Sequence, residues 1–257
     1  MGPPFILAQL SDLHLGDDRD GRGDPAAGLA RVVAAVAGLP NPVDAVVVTG
    51  DLADHGTAAE YRLAQELLAP IGAPIYPLPG NNDDRAALRE AFGLAGEPDD
   101  PIDYAVDLGP LDLVVVDSTL PGKTRGAFEP SQLRRLDATL AANAGKPTVV
   151  AMHHPPLTTA IADWDRWNMR RGPRRAIGET IAAHPHVVAI VAGHLHRVAA
   201  STLVGRPVIA GPSTFTQARP DFRAETVDMV DAPPGFALHA LLGDELSSQI
   251  ETIPRTP

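Results

Sequence analysis

The 257-residue chain contains no cysteine, which excludes disulfides, thiol nucleophiles and thiolate zinc sites. No apolar run reaches the ~20 residues that a membrane-spanning helix requires. Positive charge is scarce. Lys and Arg number 21 against 32 Asp and Glu, a net charge of −11, so the broad basic face that captures a nucleic acid polymer is missing. A small anionic substrate stays within reach, because bound metal ions reverse the sign of the local field. The N-terminus passes from Met1-Gly2-Pro3-Pro4 straight into an apolar stretch. It has neither the basic start nor the small-residue cleavage site of a secretory signal, so a cytoplasmic protein is expected, with no membrane partner.

What remains is ordinary globular composition, 44% hydrophobic and 21% charged, in a chain long enough to bury a substantial core. Short apolar runs alternate with helical patterns through the first half: strands near 5–10, 44–49 and 75–78, and helices over 26–38, from 57 to about 71, and 84–92. Asp24-Pro25 reads as an N-cap followed by a first-turn proline, and Thr57-Ala58-Ala59-Glu60 as a capping box. Runs at 104–108 and 111–117, joined by Gly109-Pro110, predict a hairpin. A helix follows from Pro130, then strands at 148–151 and 187–192 with a helix over 173–183 between them. A second hairpin spans 198–210, and strands are expected at 236–242 and 248–253. Strand–helix alternation giving way to strand pairs implies an α/β protein with two facing sheets and helices outside. A single domain covers 1–257, with a core of about 5–212; 213–257 completes the sandwich or forms a dimer contact.

The informative residues sit where strands end. Ser11-Asp12-Leu13-His14, Gly50-Asp51-Leu52-Ala53-Asp54 and Gly80-Asn81-Asn82-Asp83 deliver oxygen ligands and one histidine; Met152-His153-His154-Pro155-Pro156 and Gly193-His194-Leu195-His196 deliver histidines. Functional groups in open α/β sheets gather outside the carboxyl ends of the strands. Asp12 and His14, like His194 and His196, are spaced to share one face of an extended segment. Asp51 can bridge two ions, Asn81 offers a neutral amide oxygen and His153 an imidazole. A mixed N/O set of this kind suits Mn, Fe, Co, Ni or Zn better than Ca. Two divalent ions answered by the carboxylates of Asp12 and Asp51 alone leave a net positive centre. Such a centre can hold a hydroxide and a phosphate together.

Taken in order, Asp12-x-His14, Gly50-Asp51-x-x-Asp54, Gly80-Asn81-x-Asp83, His153 before Pro155-Pro156, and Gly193-His194-x-His196 resemble the calcineurin-like metallophosphoesterase superfamily. Within it they are most similar to class III cyclic nucleotide phosphodiesterases and the related glycerophosphodiesterases. The resemblance implies a four-layer α/β/β/α sandwich and a pair of divalent or trivalent transition-metal ions (Mn, Fe or Zn). One ion would be held by Asp12, His14, Asp51 and His196, the other by Asp51, Asn81, His153 and His194. It further implies in-line attack on a small phosphodiester by a metal-bridging hydroxide, and a homodimer. One departure stands out: the family usually carries histidine where this chain has Asn82. Asparagine can hydrogen-bond a phosphoryl oxygen but cannot deliver a proton. Asn82, His154 and Asp83 are therefore the candidate catalytic residues, with Asn82 and His154 also candidate substrate contacts.

Cyclic AMP is the leading substrate class. Glycerophosphodiesters, aryl diesters or monoesters are the alternatives, and a catalytically impaired scaffold is a third. Asp54 and Asp83 are expected to orient a ligand or its turn, and His154 is read as either a substrate contact or a packing residue. His55, His184, His186 and His239 are read as uninvolved, and Asp17, Asp18 and Asp20 as a solvated loop. The basic segment around Trp164, Trp167, Arg166, Arg170, Arg171, Arg174 and Arg175 is read either as a substrate-anion or oligomer contact or as a solvated helix face over packed tryptophans.

Overall fold

The computed structural model describes residues 2–16, 23–223 and 225–254; the acidic cluster of Asp17, Asp18 and Asp20 lies outside them. The elements in chain order are β1 (Phe5–Leu10), α1 (Pro25–Ala37), β2 (Ala45–Val48), α2 (Ala58–Leu68), β3 (Ile75–Pro77), α3 (Arg85–Phe92), β4 (Tyr104–Asp107), β5 (Asp112–Val115) and α4 (Pro130–Ala142). There follow β6 (Thr148–Ala151), α5 (Ala162–Trp167), α6 (Arg171–Ala182), β7 (Val187–Ala192), β8 (Ala199–Leu203) and β9 (Arg206–Ala210). Last come β10 (Gln217–Ala218), β11 (Met229–Val230), β12 (Gly235–Leu242) and β13 (Glu245–Thr252). The helix starts follow local chemistry. The Asp24 side chain accepts from the backbone of Ala26 and Ala27 ahead of Pro25, and Thr57 and Glu60 form the reciprocal capping box, satisfying N–H groups the helix itself cannot.

The strands form a five-stranded sheet in the order β13-β12-β1-β2-β3 and a six-stranded sheet in the order β4-β5-β6-β7-β9-β8, with β10 and β11 as a separate pair. Both large sheets are mixed. β1, β2 and β3 run parallel, as do β5, β6, β7 and β9, while β12, β4 and β8 pair antiparallel with their neighbours. The C-terminal pair thus completes the first sheet, because β12 docks along β1.

Side-chain alternation sorts the core into layers. Leu7, Ala45 and Val47 of the first sheet meet Leu113, Val115, Val149, Ala151 and Val191 of the second. The opposite faces carry Ala8, Leu10, Val46 and Val48 against Leu29, Val32, Val36, Tyr61 and Leu68 of α1 and α2. On the far side Val114, Val150 and Ile190 pack on Leu136, Leu140, Ile177 and Ile181 of α4 and α6. Strands buried on both faces read as continuous apolar runs rather than alternating ones, which is why β2 is Ala-Val-Val-Val. Helices, sheet, sheet, helices: this is the expected four-layer sandwich, and the carboxyl ends of β1, β2, β3, β6 and β7 open toward one edge. Among the described residues no helix is long and apolar enough to cross a membrane.

Candidate metal centre

Three of the ligand-bearing turns are anchored by the apolar residue beside the candidate ligands. Leu13 and Leu52 are fully buried in the core under α1 and α2, and Leu195 in the core under α4 and α6. With the leucines plugged inward, the polar neighbours are turned toward the gap between the sheets. The backbone is bent sharply to achieve this. Asp12 (φ 52°), His14 (48°), Asp51 (50°), His194 (70°) and His196 (48°) all occupy the left-handed region, which is unusual for residues with a side chain and clusters at functional sites. Glycine enters where space runs out. A Cβ on Gly80 would lie 2.1 Å from an Asp51 carboxylate oxygen, and one on Gly193 would lie 2.0 Å from Ser11 Oγ.

The result is a convergence of the candidate ligands from both sheets. His14 Nε2 lies 3.5 Å from Asp51 Oδ2 and 2.9 Å from His196 Nε2, and His196 Nε2 lies 3.7 Å from Asp12 Oδ1. On the other side of Asp51, His153 Nε2 is 3.5 Å from the same Oδ2 and 3.2 Å from Asn81 Oδ1. His194 packs edge-on to His153, ring centres 5.0 Å apart. Asp12, Asp51, His153 and His194 are essentially removed from solvent.

The histidines show what the cluster is suited to hold. Three spend one nitrogen on an acceptor behind them: His14 Nδ1 on Asp54 (3.1 Å), His153 Nδ1 on the Thr49 carbonyl (2.8 Å) and His196 Nδ1 on the Thr216 carbonyl (3.1 Å). That fixes the tautomer and aims the remaining nitrogen at the centre, as in metal-binding histidines generally. His194 Nε2 is buried with no hydrogen-bond partner among the described residues. Sets built on Asp12, His14 and His196, and on Asp12, Asp51 and His153, have the spacing to hold an ion.

Protonation follows the same geometry. Burial alone would lower the His14 pKa, but the Asp54 hydrogen bond and the charges of Asp51 and Asp12 outweigh it and raise the value to about 9. His196 is pushed down to about 4, first by burial, with the nearby His14 adding to the effect. The pair therefore holds one proton, His14 Nε2–H donating to His196 Nε2. Burial opposes ionisation of Asp51, yet His153, His14 and the Asn82 backbone N–H together lower its pKa.

Three candidate catalytic residues are engaged by the protein itself. His154 is bonded through both ring nitrogens. Its Nε2–H donates to the Thr124 carbonyl (2.8 Å) and its Nδ1 meets Ser118 Oγ (2.9 Å), and burial followed by the neighbouring His153 pushes its pKa down to about 3. Asp83 is engaged within its turn. Its carboxylate accepts from the backbone of Leu52, Ala53 and Gly80 and from Tyr61 Oη, at 2.8–3.2 Å, and so ties the Asp51 turn to the Asn81 turn. Asn82 does not project freely toward a substrate: its backbone N–H and Nδ2 reach the two oxygens of Asp51 at 2.8 and 2.9 Å.

Other residues shape the centre, one of them in the basic segment whose role the sequence left open. Trp164, buried, lies edge-on to His194 (5.2 Å) and nearly parallel to His196 (6.3 Å), forming a wall of the centre. Asn168 fastens α5 to the turn after His153 by donating to the Pro155 and Leu157 carbonyls. The signal was faint: a tryptophan a few residues beyond a histidine turn has many other uses. Arg166 pairs with Asp163, Arg174 with Thr158 and Arg175 with Glu179, so these arginines serve local contacts. His55 bonds Glu60, His184 bonds Asp137, and His239, expected to be uninvolved, lies fully buried between the sheets.

Comparisons with known proteins agree with this geometry. The family model for calcineurin-like phosphoesterase matches residues 6–198. A glycerophosphodiester phosphodiesterase of Enterobacter lignolyticus is 32% identical over 249 residues, covering 94% of this chain and 88% of the relative. A cAMP/cGMP dual specificity phosphodiesterase of Mycobacterium tuberculosis is 36% identical over 224 residues, covering 84% and 69%. A 3′,5′-cyclic adenosine monophosphate phosphodiesterase of Pseudomonas aeruginosa is 30% identical over 234 residues, covering 90% and 83%. Among solved structures, a purple acid phosphatase from yellow lupin superposes with a TM-score of 0.70 at 13% identity, over 98% of this chain and 52% of that one, a likeness of fold alone. With the family model spanning every ligand-bearing turn from Asp12 to His196, the chain belongs to the calcineurin-like phosphoesterases.

Proposed function

We propose that this chain is a metal-dependent phosphodiesterase acting on small diesters, with cyclic nucleotides favoured. The observation that carries the reading is the set of imidazoles that each commit one nitrogen to an acceptor and turn the other toward a carboxylate, Asp51 for His14 and His153 and Asp12 for His196. Asp12, His14, Asp51 and His196 would hold one ion, and Asp51, Asn81, His153 and His194 the other. Manganese, iron or zinc suits such a mixed N/O set. Bound there, the ions supply Lewis acidity toward a phosphoryl oxygen and an acidified water.

The protein's own contribution is positional. Asp54, Thr49 and Thr216 fix the rings, Asn82 steers the Asp51 carboxylate, and Trp164 excludes water from one side. Beside Asn81 a cleft of about 440 Å³ runs past Asp84, Arg85 and Thr119 to Pro121, with room for the remainder of a small diester. Arg85 in its wall is held by Asp117 at 2.8 Å. Neither Asn82 nor His154 can hand a proton to a departing alkoxide, so substrates with good leaving groups are expected to react fastest. Relatives named for glycerophosphodiesters and for cyclic nucleotides match over similar lengths, and a glycerophosphodiester is the second substrate to be tried. The same reading includes a cytoplasmic homodimer, which sedimentation of the purified protein would check.

The deciding experiment is turnover by the manganese-loaded protein on cyclic AMP, a glycerophosphodiester, an aryl diester and the matched aryl monoester. Hydrolysis of diesters ahead of the monoester is expected. Stoichiometric metal with no turnover on any of them would leave only a scaffold.

A further inference from the structure

The two halves of the candidate centre belong to different sheets. Asp12, His14, Asp51 and Asn81 follow strands of the first sheet, and His153, His194 and His196 follow strands of the second. The core between these sheets is largely apolar, crossed by a few bonds such as Tyr104 Oη to the Pro77 carbonyl and His153 Nδ1 to the Thr49 carbonyl, and apolar packing resists separation better than sliding. A centre assembled across them needs something that fixes their relative position. We infer that Gln9, a buried glutamine of β1, is a positioning residue that clamps the two sheets in register directly beneath the centre.

Gln9 is 1% exposed and points into the inter-sheet layer alongside Leu7. Its Nε2 donates to Thr49 Oγ1 at 3.0 Å and to the Ala192 carbonyl at 2.7 Å. Thr49 leads into Gly50-Asp51, and its own carbonyl accepts from His153 Nδ1 at 2.8 Å. Ala192 is the last residue of β7, immediately before Gly193-His194. One amide group therefore joins the strand that carries Asp12 to the ends of the strands that carry Asp51 and His194, one in each sheet. The other end of the amide is equally fixed. Gln9 Oε1 accepts from His239 Nε2 at 3.0 Å, and His239 Nδ1 meets Ser248 Oγ at 2.7 Å, so the ring of His239 sets which way the amide faces. Gly211 leaves the necessary room, since a Cβ there would lie 2.9 Å from Gln9 Nε2. Glutamine is rarely buried this completely, and a buried amide costs stability unless its groups are satisfied. Here both N–H groups and the carbonyl are used, and the bonds are directional where the surrounding apolar contacts are not.

This inference rests on the proposed metal centre, and its test separates the two. Metal binding to the metal-free protein is measured by calorimetry with manganese and with zinc, beside thermal unfolding of the metal-free form, for the unaltered chain, Gln9→Met, Thr49→Val and His239→Leu. Gln9→Met keeps the volume and removes the clamp. Loss of a residue that orients ligands typically lowers metal affinity by roughly ten- to a hundredfold, and that drop is expected for Gln9→Met. Thr49→Val, which removes one of the two clamp bonds and leaves the Thr49 carbonyl in place, should show a smaller drop. His239→Leu removes only the buttress and should lower the unfolding temperature with much less effect on affinity. If Gln9→Met does not fold, Thr49→Val carries the test alone. Affinity within twofold of the unaltered chain in the folded clamp variants, or an equal drop in His239→Leu, would overturn the clamp, the latter by showing a general loosening. If the unaltered chain binds neither metal, it is the proposed function that fails.

Discussion

At the scale of single residues, the proton between His14 and His196 gives a direct test of the centre. With the His14 pKa raised to about 9, an ion taking its Nε2 must displace that proton. Metal binding at pH 7 should therefore release about one proton, and affinity should rise with pH toward 9. Calorimetry in buffers of different ionisation heat would show it; no release would mean that His14 is already neutral. Asn82 supports a second prediction. A histidine there gives up the Nδ2 bond to Asp51 but, turned toward the cleft, offers a proton donor, and general acid catalysis is worth roughly a hundred- to ten-thousandfold. Asn82→His should raise kcat on cyclic AMP by about a hundredfold while hardly changing the rate on an aryl diester, whose leaving group needs no acid. A third concerns His154. His154→Ala breaks two buried hydrogen bonds and should cost about 2–4 kcal/mol in stability, with no change in the shape of the pH–rate profile. The ligand residue types were legible from the sequence at this scale. The roles of Asn82 and His154 were not, because the way each side chain turns depends on partners distant in the chain, Asp51 for Asn82 and Ser118 and Thr124 for His154.

At the scale of elements, the turns are held by leucines as much as by hydrogen bonds. Leu13, Leu52 and Leu195 are fully buried, and truncating such a side chain costs about 2–5 kcal/mol. Leu195→Ala should destabilise the protein within that range. It should also weaken metal binding, although Leu195 itself supplies no ligand, because His194 and His196 flank it; denaturant unfolding with metal titration checks both. Helix starts were readable almost to the residue, since Asp24-Pro25 and Thr57–Glu60 are local chemistry between neighbours. The hairpin β4–β5 and the strand pair β12–β13 were also readable from alternating apolar runs. The place of α5 was not. That Trp164 backs onto His194 and His196 depends on where the chain goes after Pro156, and no local pattern records it.

At the scale of the whole molecule, acid should act on the fold through histidines buried neutral. Burial holds His239 down to about 4 against an ordinary 6.5. Between these values the unfolded chain binds a proton that the folded chain refuses. The stability His239 contributes is thus present above pH 6.5 and lost as pH falls to about 4, amounting to about 3 kcal/mol. His14 has the opposite sign: its contribution is present below pH 6.5 and disappears as pH rises through about 9. Denaturant unfolding of the metal-free protein should therefore show stability falling from pH 6.5 to 4, with a shallower fall in His239→Gln. An unchanged slope would contradict the neutral state of His239.

The sequence by itself determined the layers and the candidate ligands. Apolar runs of strand length, capped helices between them and Asp, Asn or His at each strand end are properties of consecutive residues, and their order along the chain is what the family shares. Tertiary structure alone decided which of those polar groups face one another. Asp83 turns to the backbone rather than to the centre, His154 turns to Thr124 and His153 to Asn81. Gln9 meets Ala192 across 183 positions of chain. Such pairings depend on how two sheets are set against each other, and that relation is fixed by packing over the whole interface, which no stretch of neighbouring residues encodes.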